Sequence, residues 1–230
     1  MAQTRILLVL TSNPRFGMHG GETGLAVDTF AAPFYAFEDA GMAAEIATIR
    51  GGEPPFAPGA TETDATRRLR EDVRLMEGLK QAPALRQVQT SVYDAVFLPG
   101  GHGAAWDFPA CPELTVALEQ FALQGKPIAA VGHGAAALVP VMDRRSQPLT
   151  RGRKVACPSV EEDREAGVDG VLPFQIESKL RDLGAIIEPA AAFAEKVCVD
   201  EFLITGQNAA SAGPAAEALI QTIRGARIAA

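Results

Sequence analysis

Apolar residues fall along the chain in two rhythms. Arg5 to Leu10 and Ile128 to Val131 are short, nearly continuous apolar runs, and Val92 to Leu98 is a third. Runs of this length without alternation suit strands covered on both faces. Glu45 to Thr48 and Lys154 to Cys157 read as further short strands. Lys196 to Val199 and Phe202 to Thr205 read as a hairpin or two more strands. Between them, apolar positions recur at helical spacing over Leu25–Ala40, Leu114–Gln124, Pro173–Leu183 and Ala215–Arg224. Gly41 and Gly184 suit helix C-termini. Strands alternating with helices predict an α/β fold, a mostly parallel central sheet with helices on both faces. No repeat or linker interrupts the pattern, so residues 1–230 are expected to form one domain.

The segments outside this alternation are polar. Thr11 to Gly24 holds Gly17, Gly20, Gly21 and Gly24. It is expected to loop over the carboxyl edge of the sheet, where open α/β sheets bind ligands. Glu53 to Gly59 is a Pro- and Gly-rich loop. Thr63 to Gln89 is rich in charged helix formers, with Leu69, Val73, Met76, Leu79 and Leu85 at roughly helical spacing. This predicts a largely exposed helical excursion around residues 60–90, its charges a solvated face. Glu161 to Gly170 reads as an acidic loop or turn, and Gly206 to Ser211 as a turn.

One stretch carries most of the candidate chemistry. The apolar run Ile128–Val131 leads into Gly132-His133-Gly134 and an Ala-rich helical run. Small residues around a central position between a buried strand and a helix form the frame of a nucleophile elbow. The central residue of such a turn is a Ser or Cys in enzymes that use covalent catalysis. Here it is Gly132, which has no side chain. Upstream, Pro99-Gly-Gly-His-Gly103 follows a strand, and its paired glycines let backbone N–H groups approach a ligand.

Composition narrows the setting. The chain is 47% hydrophobic and 21% charged, a soluble globular balance, and its net charge of −7 argues against nucleic acid or an anionic membrane as partner. No apolar run approaches the ~18–20 residues of a membrane span. Met1 to Arg5 runs straight into a strand, leaving no room for a signal peptide. Cys111, Cys157 and Cys198 are too irregularly spaced for a disulfide framework or a zinc motif. A cytoplasmic, reduced protein is expected.

Several segments together resemble the DJ-1/PfpI superfamily, in its Hsp31-like branch. They are Tyr93-Asp-Ala-Val-Phe-Leu-Pro-Gly-Gly-His-Gly103 with Trp106-Asp107, Pro127-Ile-Ala-Ala-Val-Gly-His-Gly134, and Leu203-Ile-Thr-Gly-Gln-Asn-Ala-Ala-Ser211. Thr23-Gly24 through Pro33-Phe-Tyr35 matches the first helix of that branch. The resemblance implies the three-layer, flavodoxin-like fold of class I glutamine amidotransferases. Enzymes of the family carry Ala-x-Cys-His-Gly at the elbow, so the resemblance places Gly132 at the nucleophile position and makes His133 the partner histidine. A first-helix Glu of those enzymes falls on Thr29, with Asp28 beside it. A small branch, the glutamine amidotransferase-like class 1 domain-containing proteins, shares the Val-Gly-His-Gly elbow, and the chain is most similar to it. By the same resemblance, the N–H groups of Gly101 and His133 would form an oxyanion hole, and a homodimer is expected.

The candidate residues each have two uses. His133 is a base or ligand anchor, or it packs at the elbow on a backbone carbonyl. His102 contacts a ligand, or it fixes the Trp106-Asp107 loop. Thr29 offers a hydroxyl from the first helix. Glu161, Glu162 and Asp163 fall where the branch can supply an acid to the histidine, or they form a solvated acidic loop. Cys157 is a replacement thiol or a buried free cysteine. Gln207 and Asn208 are expected to bond loop backbone and hold neighbouring turns. His19, His102 and His133 lie on loops at one sheet edge but include no closely spaced ligand pair, so neither metal nor cofactor is expected. The function expected is binding of a small carbonyl or amide compound, or non-covalent chemistry on it. Cysteine-dependent glyoxalase or hydrolase activity is not expected. The alternative is a holdase-type chaperone or interaction protein acting through dimer surfaces.

Overall fold

A computed structural model describes residues 3–59 and 61–229, and the side chains of these except His19 and 227–229. The continuous apolar run Arg5–Leu10 forms strand β1, and its side chains part to opposite faces. Ile6, Leu8 and Leu10 enter one core, while Leu7 and Val9 enter the other. This period of two is what a strand buried on both sides must show. Helix α1 (Val27–Asp39) follows, then β2 (Ala43–Thr48), α2 (Asp64–Glu71) and α3 (Val73–Lys80). Next come β3 (Ala95–Leu98), the short α4 (Ala104–Asp107), α5 (Pro112–Leu123) and β4 (Ile128–Val131). The chain then forms β5 (Lys154–Val155), α6 (Val160–Glu165), α7 (Ile176–Asp182) and β6 (Ile186–Ile187). It ends in β7 (Val197–Asp200), β8 (Leu203–Gly206) and α8 (Ala212–Ala229).

The main sheet has the order β2-β1-β3-β4-β8-β7. Its pairings are parallel except the β7–β8 hairpin. Helices α1, α2, α3 and α8 bury Phe30, Phe37, Leu69, Leu79 and Leu219 against one face. Helices α5 and α7 bury Leu114, Leu118, Phe121, Ile176 and Leu180 on the other. This is the three-layer, flavodoxin-like α/β arrangement expected. The carboxyl ends of β1, β3, β4 and β8 therefore share one edge, as parallel pairing requires. Strand β6, which pairs with β5 in a separate two-stranded sheet, is too short for a pattern to show. Among the described residues, no helix is long and apolar enough to cross a membrane.

Three elements differ from the sequence expectation. The excursion is two helices, broken at Asp72, whose carboxylate accepts the Leu75 N–H at 2.9 Å and the Tyr35 hydroxyl at 3.2 Å. Arg68 grips Asp39 with two bonds of 2.8 and 2.9 Å and stacks over Tyr35. The excursion is thereby docked on α1. The break shifts the helical register, so Leu75 is buried and Val73 is 72% exposed. The Ala-rich run after the elbow is a 3₁₀ helix, Gly132–Leu138. Gly134 explains the tight packing there, since a Cβ on it would lie 2.4 Å from the Leu98 carbonyl oxygen. The acidic segment is the helix α6, not a loop.

The corrected register has a direct consequence for stability. Leu79→Ala should lower unfolding free energy by ~2–5 kcal/mol, as for other buried leucines. Val73→Ala should change it by less than about 0.5 kcal/mol. Urea titration of the two variants checks this, and the reverse order would mean that Val73 faces the core.

Candidate active site

The elbow is built from backbone. Gly132 has φ 54°, the left-handed region that a side chain adopts only at a cost. A Cβ built there would have Gly100 Cα at 3.7 Å and Asn208 Cα at 4.0 Å, ordinary contacts. Gly101 differs. Its φ is 114°, and a Cβ would fall 2.2 Å from the Gly24 carbonyl oxygen and 2.4 Å from the Ala26 nitrogen. The loop after β3 thus lies backbone to backbone against the loop before α1. Gly101 and His133 border the same cavity of about 570 Å³ as Gly132. His133 belongs to the first turn of the 3₁₀ helix, where N–H groups lack intrahelical acceptors.

His133 meets a carboxylate. Its Nε2 lies 3.0 Å from Asp163 Oδ1, and the Asp163 side chain is 2% exposed. The backbone-carbonyl partner considered for His133 is therefore replaced by an acid. Glu162 explains how Asp163 is held there. Its Oε1 accepts from Asn208 Nδ2 at 2.7 Å, Gln207 Nε2 at 3.0 Å and the Phe193 N–H at 2.7 Å. Its Oε2 accepts from the Ser159 N–H at 3.0 Å, and Ser159 Oγ accepts from the Glu162 N–H in return. The last pair is a capping box. The motif Ser159-Val-Glu-Glu162 was the sequence signal for this helix, and it distinguishes α6 from the solvated acidic loop expected.

Other candidates fall differently from expectation. The His102 ring sits 4.5 Å from that of His133 and 5.4 Å from Phe16, centroid to centroid. Among the described residues its ring makes no hydrogen bond to Trp106 or Asp107, and Phe16 packs on both His102 and Trp106. Asp107 instead accepts from Thr11 Oγ1 at 2.9 Å and the Ser12 N–H at 2.6 Å. Burial pushes the Asp107 carboxyl up to about 6, against the pull of those bonds. For His102, burial and then the His133 ring push the imidazole down to about 4, against the opposing effect of Asp163. The Thr29 hydroxyl is already committed, donating toward the carbonyls of Ala26 at 2.7 Å and Gly100 at 3.2 Å. Thr29 and Gly132 flank Gly100 from two sides. Asp28 lines the cavity beside it.

Gln207 and Asn208 bond loop backbone as expected, at the Ala190 N–H and the carbonyls of Ala191 and Ala194. Their tie to Glu162 had no local signal, because it spans 45 and 46 positions. Cys111, Cys157 and Cys198 are buried and free, and burial raises the Cys157 thiol. None of the three lines the cavity. The His19 side chain lies outside the described residues, which leaves the three-histidine arrangement untested. Among the described residues, no group of three His, Cys, Asp or Glu is placed to hold a metal ion. Phe16 and Thr23, in the loop expected over this edge, also line the cavity, as does Phe193, whose sequence neighbourhood gave no signal.

The elbow thus lies between a parallel strand and a tight helix, with the His133–Asp163 pair beside it. The sequence profile of the DJ-1/PfpI family matches residues 27–222. The chain belongs to the DJ-1/PfpI family. It is 31% identical over 201 residues to the glutamine amidotransferase-like class 1 domain-containing protein 1 of Bos taurus, covering 87% of this chain and 89% of that one. It is 26% identical over 239 residues to the glutathione-independent glyoxalase HSP31 of Saccharomyces cerevisiae, covering 97% and 100%. Among solved structures, the 24 kDa rapid encystment protein of Francisella tularensis superposes with a TM-score of 0.92 at 32% identity, over 96% of this chain and 99% of that one. Glyoxalase III of Candida albicans superposes at 0.86 and 25% identity, over 95% and 97%.

Two measurements test the geometry of this DJ-1/PfpI site. Gly132→Ala should cost ~1–2 kcal/mol, the left-handed penalty alone. Gly101→Ala should cost at least ~3 kcal/mol, because backbone must move. Equal losses in urea titration would contradict the packing described. The chain has three histidines, so their ring signals are separable by NMR. The signal lost in His102→Gln should titrate near pH 4. Unfolded His102 takes its proton near 6.5. The unfolded chain therefore binds a proton first as pH falls, and His102 removes stability between about 6.5 and 4. His102→Gln should lose less stability than the parent between pH 7 and pH 4.5.

Proposed function

We propose that the protein binds a small carbonyl or amide compound in the Gly132–His133 cavity and acts on it without a covalent link to the chain. The observation that carries this reading is the His133–Asp163 pair beside an elbow whose central residue has no side chain. A carboxylate only accepts hydrogen bonds, so Nε2 of His133 carries the proton facing Asp163 and Nδ1 keeps the lone pair. An imidazole fixed in one tautomer by a buried acid is a general base, and its imidazolium is stabilised by that acid. The N–H groups of Gly101 and His133, which border the same cavity, would receive a carbonyl oxygen as charge develops on it. In this reading Gly132 stands where family enzymes carry cysteine, and none of the chain's own thiols borders the cavity.

The names of relatives include glyoxalases. A thiolate that attacks the aldehyde is the part of that chemistry which the cavity does not supply. Purified protein should therefore consume methylglyoxal at the uncatalysed rate. It should still bind acetamide, with amide shifts at Gly101 and His133, and His133→Ala should weaken that binding about tenfold. Robust methylglyoxal turnover that His133→Ala abolishes would overturn this reading.

A further inference from the structure

The cavity is unbalanced in charge. Glu22, Asp28, Glu162 and Asp163 line it, and among the described lining residues there is no Lys or Arg. Glu162 is held by N–H groups alone, so its charge is solvated but not cancelled. His102, pushed down to about 4, is neutral at pH 7 and adds no positive charge. Glu22 lies on the seam with an adjoining cleft of about 530 Å³ that also contains Arg15. Asp28 has no such neighbour. It makes no ion pair among the described residues, and its Oδ1 accepts only the Thr29 N–H at 3.0 Å. Between these groups the walls are apolar, with Val27, Ala57, Pro58 and Phe193. Low-polarity walls strengthen the pull of these carboxylates on a cation and their repulsion of an anion.

Two side-chain oxygens of residues in the cavity wall also lack a partner among the described residues. Asp163 Oδ2 and Thr23 Oγ1 are buried without a hydrogen-bond partner. Both side chains are 2% exposed, and both residues line the cavity. An orphaned buried polar atom costs ~1–3 kcal/mol. An ionised carboxylate oxygen accepts hydrogen bonds and donates none.

We propose that the occupant is a small amide carrying a protonated amine. Its carbonyl oxygen would lie at the N–H groups of Gly101 and His133, and its amide N–H groups within reach of Asp163. Its ammonium group would turn toward Asp28 at the mouth, with a short carbon spacer along Val27 and Pro58. This deepens the carbonyl-pocket reading and rests on it.

Three amides of matched length test the charge preference: 4-aminobutanamide, butanamide and succinamate. Binding is read from amide shifts of Gly101 and His133 at pH 7 and low salt. The cationic amide should bind about tenfold more tightly than the neutral one, and succinamate most weakly. Asp28→Asn keeps the Oδ1 acceptor and should remove most of that preference while leaving butanamide affinity unchanged. Added salt should narrow the gap for the parent protein. Equal or tighter binding of succinamate would overturn the cationic preference and leave the carbonyl pocket standing. A preference that survives in Asp28→Asn would overturn the role of that residue. Binding of none of the three would overturn the pocket reading, and this proposal with it.

Discussion

Backbone packed directly on backbone is the constraint from which the site follows. Where β3 and β4 end, Gly100, Gly101, Gly132 and Gly134 lie so close to neighbouring loops that three of the four could not carry a Cβ without displacing main chain. A Cβ on Gly100 would meet the Val131 carbonyl oxygen at 2.8 Å. Close approach brings the main chain of these turns together at the carboxyl edge of a parallel sheet. That edge is where ligands bind in folds of this class. The exception is Gly132, which needs glycine for its dihedral and not for space.

The second constraint is electrostatic. Glu162 gathers four N–H donors from the start of α6, the Phe193 turn and the segment after β8. A buried carboxylate without such partners would be costly, so these segments are tied together by the need to solvate it. Asp163 is the next residue on the same helix, and the tie aims it at His133. Phe193 accepts a left-handed φ of 60° at the same turn. Strain of this kind persists only where surrounding bonds determine the backbone, and here the Phe193 N–H is bonded to Glu162.

These two constraints separate positioning from reactivity. The close turns come from main-chain packing, and the imidazole and its acid come from the elbow and α6. None of these parts depends on a thiol. The His133–Asp163 pair is thus held at an elbow whose central residue is glycine. Enzyme function resides in the site and not in the fold. The DJ-1/PfpI architecture by itself thus leaves the reaction open.

The order of strands and helices was legible because it rests on local periodicity. Leu7 and Leu8 face opposite cores for no reason beyond the pleat of a strand. The elbow was legible too, since Gly132 with its small neighbours is a short-range motif. Asp163 was not. It lies 30 positions from His133, and three acids in a row fit a solvated segment equally well until burial selects among them. The capping box at Ser159 was a local signal for the helix, but it could not say which carboxylate would face the ring. Val73 was placed on the apolar face, and Leu75 was not, because a side-chain cap at Asp72 broke the helix and reset its phase. The neutrality of His102 and the commitment of the Thr29 hydroxyl also lie beyond sequence. Both depend on which atoms end up adjacent in the dark of the protein interior, and only long-range packing decides that.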